Sequence, residues 1–228
     1  MSLDYTDTLA ELQGRIDISA IHAADASELI TAADRALRAN AQAVLVDADA
    51  VHTIWAWLEN KGVHIFALQK HDGGKEKGGK GTVDQYSNLI PRINSILKRG
   101  ADGIVLQTSD NLSDLASAIS PVRQDLFFGK RLIVGLDVRD IKPIEWPEIF
   151  DNLKKIGADG LQLSAAADKR EGQGDVAGAI FGMLNSWDKD FAGAVCFDFR
   201  KFDDMENAWR LICGMRPELK NKVRFFVK

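Results

Sequence analysis

Short apolar runs alternate with longer stretches of helical spacing from one end of the chain to the other. The runs cover 16–21, 44–46, 64–68, 103–106, 132–136, 160–163, 194–197 and 223–227. Several lack polar alternation, the pattern of parallel strands buried on both faces. Between the runs, apolar residues recur at the period that lines them up on one side of a helix. They are Leu29, Ile30, Ala33 and Leu37 in 27–37, then Leu89, Ile93, Ile96 and Leu97 in 89–97. In 148–156 they are Ile149, Phe150, Leu153 and Ile156. Strands alternating with helices in this way mark repeated βα units.

Eight units predict a single (β/α)8 TIM barrel over residues 1–228. The length suits that fold, which typically needs about 250 residues. An open, doubly wound sheet is the alternative, and two ordinary domains would be cramped. Segment 5–13 predicts an extra helix ahead of the first strand, and no helix follows the last one. That gap is expected to be filled by the N-terminal helix or by a partner chain, or else the sequence is truncated there; a homodimer is one expected state.

Two units end alike, in Lys98-Arg99-Gly100-Ala101-Asp102-Gly103 and Lys154-Lys155-Ile156-Gly157-Ala158-Asp159-Gly160. Basic residues favour a helix C-terminus and a glycine permits the left-handed cap. The repeat therefore reads as structural punctuation between helix and strand.

Composition narrows the function. A net charge of −4 argues against a nucleic-acid binder, which needs a basic surface. No stretch approaches the ~18 apolar residues of a membrane span, and the N-terminus lacks the pattern of a secretory signal. A cytoplasmic protein is expected. Cys196 and Cys213 have no metal-ligand spacing and sit among apolar residues, so both are expected to be buried thiols. His22, His52, His64 and His71 fall on different segments, and neither H-x-E-x-H nor H-E-x-x-H occurs. No metal site is read from them. Trp55 and Trp57 lie in a helical pattern and read as packing residues.

Barrel enzymes build their sites at the C-terminal ends of the strands. The polar residues expected there form a ring, and Lys70 opens the first of two long connections, 71–81. This loop combines glycines with lysines, which suits a phosphate or a closing lid and also suits an unstructured surface loop. It is not a P-loop, and 73–81 are expected to be mobile without ligand. The other long connection, 165–175, also leaves a strand C-terminus. A lysine at the mouth can stabilise an enolate, donate a proton or form a Schiff base. The expected catalytic set is Lys70 with Asp47, Asp72 and Asp137 as orienting carboxylates. Asp110, Ser164, Asp168, Arg200 and Lys201 are the expected substrate-binding residues.

The segment Leu68-Gln69-Lys70-His71-Asp72-Gly73-Gly74 resembles the D-x-K-x-x-D-G-G motif of hexulose-phosphate synthases and ketogulonate-phosphate decarboxylases. These are barrels of the orotidine-monophosphate-decarboxylase suprafamily. Segments around 100–106, 129–137 and 158–172 are similar in order to that family's strands four, five and six. The resemblance implies a barrel, a lysine-centred site and a magnesium ion. However, Leu68 stands where the magnesium-binding aspartate would be, and Asp47 stands for a strand-two glutamate. Ser164 replaces a histidine, and Asp198-Phe199-Arg200 replaces the phosphate-gripping glycines. Magnesium is thus the one cofactor implied, with its aspartate ligand missing.

The leading expectation is a lyase or isomerase acting on a small carbonyl compound or a sugar phosphate. A Schiff-base aldolase using Lys70 or Lys201 is the alternative. A third reading is a barrel without catalysis that binds a metabolite or a partner protein.

Overall fold

The computed structural model describes residues 10–12, 14–71, 84–109, 111–164, 176–198 and 202–228. Eight parallel strands close into a barrel in sequence order. They are β1 (Ile16–Ala20), β2 (Ala43–Asp47), β3 (His64–His71) and β4 (Gly103–Thr108). The circle continues with β5 (Arg131–Asp137), β6 (Gly160–Ser164), β7 (Ala194–Asp198) and β8 (Val223–Val227). A helix follows each strand but the last: α1 (Ala26–Arg38), α2 (Val51–Leu58), α3 (Leu89–Lys98) and α4 (Leu112–Ile119). Then come α5 (Trp146–Ile156), α6 (Val176–Asn185) and α7 (Phe202–Met215). β8 pairs with β1, so no strand-order reversal occurs and the open-sheet alternative is excluded.

The apolar runs are nearly continuous because each strand is buried on two sides. Alternate residues such as Val44, Ile104, Val134 and Leu161 pack outward against the helices. Their neighbours Leu45, Phe66, Val105, Ile133 and Phe226 fill the barrel. Each such side chain contributes roughly 1.5–3 kcal/mol on burial, enough to fix which parity faces inward.

The repeated Gly-Ala-Asp-Gly segments act as clamps as well as caps. Gly100 and Gly157 take φ of 110° and 69°, the left-handed turn expected of them. The aspartate that follows then reaches sideways to the neighbouring strand. Asp102 accepts the Ile65 N–H at 2.9 Å, and Asp159 accepts the Leu132 N–H at 2.7 Å. Asp17 does likewise from β1, accepting the N–H groups of Gln42 and Ala43 at 2.9 Å. Asp17 is only 2% exposed, and the Arg224 guanidinium pairs with it through Nε at 2.7 Å. These clamps sit at the base of the barrel and leave the opposite end free for chemistry.

The described part of the N-terminal segment is helical at 10–12 and meets α7. Leu12 is buried, and Glu11 accepts the Trp209 Nε1–H of α7 at 3.1 Å. Two packing expectations need correction. Trp57 is 49% exposed, because α2 turns it away from the barrel while Trp55 lies against Gly100. Cys196 is buried inside the barrel, but Cys213 is only half-buried on α7. Among the described residues no helix is long and apolar enough to cross a membrane.

Candidate active site

β3 is longer than its apolar run. It continues through Lys70 and His71, which pair with Gln107 and Thr108 of β4. Lys70 is therefore held by a strand, not by the loop, and it is the one lysine within any of the eight strands. Inward parity on β3 runs through Phe66 and Leu68, so Lys70 is the next inward position and lies exposed at the mouth.

Register partners in this fold step along the barrel axis by roughly one residue per strand. From Lys70 the partners are Gln107 on β4 and Gly135 on β5. Asp137 lies two positions above Gly135 and so shares the level of Lys70, on the next strand but one. The same step brings Asp47, Gln107 and Ser164 to one level on β2, β4 and β6. A contact supports that level: Gln107 Nε2 lies 3.4 Å from Ser164 Oγ. Ser164 in turn has its hydroxyl 3.4 Å from the Leu136 carbonyl oxygen. Ser164 pairs with Asp137 on one side and Asp198 on the other, so three polar groups end consecutive strands.

Below this rim the barrel holds polar groups that an apolar core would not. Ser19 is 4% and Gln162 is 3% exposed. Among the described residues, none offers a hydrogen-bond partner to Ser19 Oγ or Gln162 Nε2. Leaving such groups buried and unpaired costs about 1–3 kcal/mol each, which points to water or a ligand reaching them from the mouth. Space for them comes from Gly135, where a methyl group would stand 3.3 Å from Gln162 Oε1.

Asp47 also makes a local contact at the end of β1. Its Oδ2 accepts the His22 N–H at 2.5 Å and lies 3.7 Å from His22 Nδ1. His22 has φ of 62°, an uncommon left-handed backbone for a non-glycine residue, and Asp47 holds the β1 end in that shape. Cys196, deep in the barrel, is no nucleophile: burial pushes its thiol up to about 12.

Of the expected residues, the structure brings Lys70, Asp137, Ser164 and Asp47 to the rim. Asp72, Asp110, Asp168, Arg200 and Lys201 lie outside the described residues, as does the loop 73–81. Gln107, Gln162 and Ser19 were missed by sequence reasoning. Their signal is a polar residue at every second position within otherwise apolar strands. The described donors do not fit a magnesium ion, since Leu68 is apolar and packs in the barrel interior. Among the described residues no three of His, Cys, Asp and Glu are grouped to hold a metal.

Fold and rim together define a TIM barrel with a lysine and carboxylates at its C-terminal mouth. No protein-family model matches the sequence, and no curated protein matches it either. Solved structures do match the fold. Deoxyribose phosphate aldolase from Aeropyrum pernix, a tetramer, matches at TM-score 0.69 and 14% identity, over 99% of this chain and 94% of that one. A provisionally assigned deoxyribose-phosphate aldolase from Coccidioides immitis gives 0.70 and 15%, over 96% of this chain and 81% of that one. A provisionally assigned copper homeostasis protein, CutC, from Streptococcus agalactiae gives 0.59 and 11%, over 93% and 97%. At such identities the likeness establishes the fold, and folds of this kind host unrelated chemistries.

The resemblance to the orotidine-monophosphate-decarboxylase suprafamily is corrected by these matches. Deoxyribose-phosphate aldolases belong to a different branch of TIM barrels. The motif around Lys70 had already lost its metal aspartate to Leu68, which serves the barrel core instead.

Proposed function

We propose that this barrel is a lyase of the aldolase kind, making or breaking a carbon–carbon bond beside a carbonyl through an imine on Lys70. The observation that carries the reading is the position of Lys70: the one strand lysine, at an inward-facing position, at the mouth. The likeness to deoxyribose-phosphate aldolases supports it over the decarboxylase reading.

In this scheme the neutral Lys70 amine attacks the carbonyl carbon and water leaves, giving an iminium that accepts the electron pair of the cleaved bond. Asp137, at the same level, moves the proton that the departing fragment or the enamine requires. Gln107 and Ser164 hold substrate hydroxyl groups. Asp72, Asp110, Asp168, Arg200 and Lys201, outside the described residues, complete the proposed site, the last two as candidates to hold a phosphate. Lys201 is the competing amine.

The test is a retro-aldol and aldol screen with small aldehydes and phosphorylated sugars, run on wild type and Lys70→Ala. The variant is expected to lose nearly all turnover, at least about 10²–10³-fold, while keeping its fold. Wild-type kcat in the variant would remove Lys70 from the mechanism.

A further inference from the structure

The base of the barrel, at the end opposite Lys70, is built unlike an ordinary barrel layer. The first inward position of each strand lies there. In β1, β3, β5 and β8 it holds Asp17, His64, Arg131 and Arg224. In β2 and β7 it holds Ala43 and Ala194, and in β4 and β6 it holds Gly103 and Gly160. Such layers are ordinarily filled by bulky branched side chains. Here small residues leave a cavity of about 330 Å³ that opens at the base and reaches into the barrel.

The inner wall of this cavity is apolar. Phe66, Ile133, Cys196 and Phe226 form it, and all four belong to the core inside the barrel. The rim is charged, and its carboxylates are engaged. Asp17 accepts two backbone N–H groups and pairs with Arg224, which also donates to the Gly14 carbonyl oxygen at 3.2 Å. Asp159 accepts the Leu132 N–H and pairs with Arg123 at 2.6 Å. His64 lies 3.7 Å from Asp102. Neither carboxylate on the rim pairs with Arg131, whose side chain is exposed there. Burial and the Asp17 carboxylate push the Cys196 thiol up, while Arg224 and Arg131 act the other way. The Arg131 charge thus reaches the inner wall. Among the described lining residues, Arg131 is the arginine whose charge no carboxylate matches.

An apolar pocket with one placed charge at its edge suits a ligand with an apolar body and one opposite charge. We infer that the base cavity binds a small monocarboxylate with an apolar body. Its carboxylate lies on the planar Arg131 guanidinium, which can donate two parallel N–H bonds to it. Its body lies on Phe66, Ile133, Cys196 and Phe226. A volume of about 330 Å³ is at the lower end of small-molecule sites, so the body is about one ring or a short branched chain. The inference goes beyond the aldolase reading and uses no residue of the mouth.

The test is isothermal titration of the full chain at fixed ionic strength with benzoate, benzamide, benzamidine and inorganic phosphate. The first three share one shape and differ in charge. Saturable binding is expected for benzoate, at least about tenfold tighter than for the other three probes. Arg131→Met keeps the stem of an exposed side chain, and it is expected to fold normally and weaken benzoate about tenfold or more. Ala194→Leu, which fills the cavity, is expected to abolish binding. Should that variant fail to fold, Arg131→Met decides alone. Lys70→Ala is expected to bind benzoate as wild type does. No saturable benzoate binding, equal binding of the amide or of phosphate, or undiminished affinity in Arg131→Met would each overturn the inference. Loss of binding in Lys70→Ala would place the ligand at the mouth and overturn it too. Because no turnover is read, these outcomes are separate from the fate of the Lys70 mechanism.

Discussion

Gln107 Nε2 and Ser164 Oγ stand 3.4 Å apart, so β4 and β6 touch across the strand between them. Gly135 of β5 makes this contact possible by carrying no side chain. A methyl group there would lie 3.2 Å from the Gln107 Cα and 3.3 Å from Gln162 Oε1. One neighbour is backbone and cannot swing aside. Gly135→Ala is therefore expected to lose about 1–3 kcal/mol, an overpacking cost, and to lower the thermal midpoint by several degrees. An unchanged midpoint would mean that the polar layer is loosely packed.

The base of the barrel gives a contrasting prediction. Asp17 is nearly fully buried and is satisfied by two backbone N–H groups and Arg224. Removing the guanidinium leaves a buried carboxylate without its countercharge. Arg224→Met is expected to cost about 3–5 kcal/mol in denaturant unfolding. Asp151→Asn, which breaks the surface pair Lys154–Asp151 at 3.1 Å, should lower stability far less, because solvent screens that pair. Equal losses from the two changes would contradict the burial argument.

The two cysteines should differ in reactivity. Burial raises Cys196 from its ordinary 9.0 to about 12, so the folded state keeps its proton where the unfolded state has lost it. Its contribution is complete below pH 9 and is lost as pH climbs toward 12. Stability should thus fall on the alkaline side, and Cys196→Ala should flatten that fall. Native alkylation should modify half-buried Cys213 first and reach Cys196 only on unfolding. Early modification of Cys196 would show that the barrel interior opens.

The barrel was legible because two-sided burial writes each strand as an apolar run, and a polar residue marks where it ends. Lys70, Asp137 and Ser164 could be placed at the mouth on that ground alone. What the runs could not give was register. Gln107 and Ser164 are far apart in sequence, and only the stagger of the closed sheet brings them to one level. Asp47 could be placed at the mouth, but the contact of its Oδ2 with the His22 N–H, made at an unusual backbone angle, could not be read from the runs. The Gly-Ala-Asp-Gly repeat was readable as a cap, but the sideways clamp of Asp102 and Asp159 depends on the neighbouring strand. The family resemblance failed for a related reason: short motifs around one lysine do not encode which branch of barrels supplies the scaffold.

Imine formation at Lys70 can be measured directly by adding sodium borohydride to the chain in the presence of small aldehydes and sugar phosphates. Reduction would convert the imine to a stable secondary amine, read by intact mass and located by peptide mapping. The account predicts one adduct per chain, on the peptide containing Lys70, and none in Lys70→Ala. Trapping on Lys201 or another lysine, or no trapping with any substrate that is turned over, would contradict it.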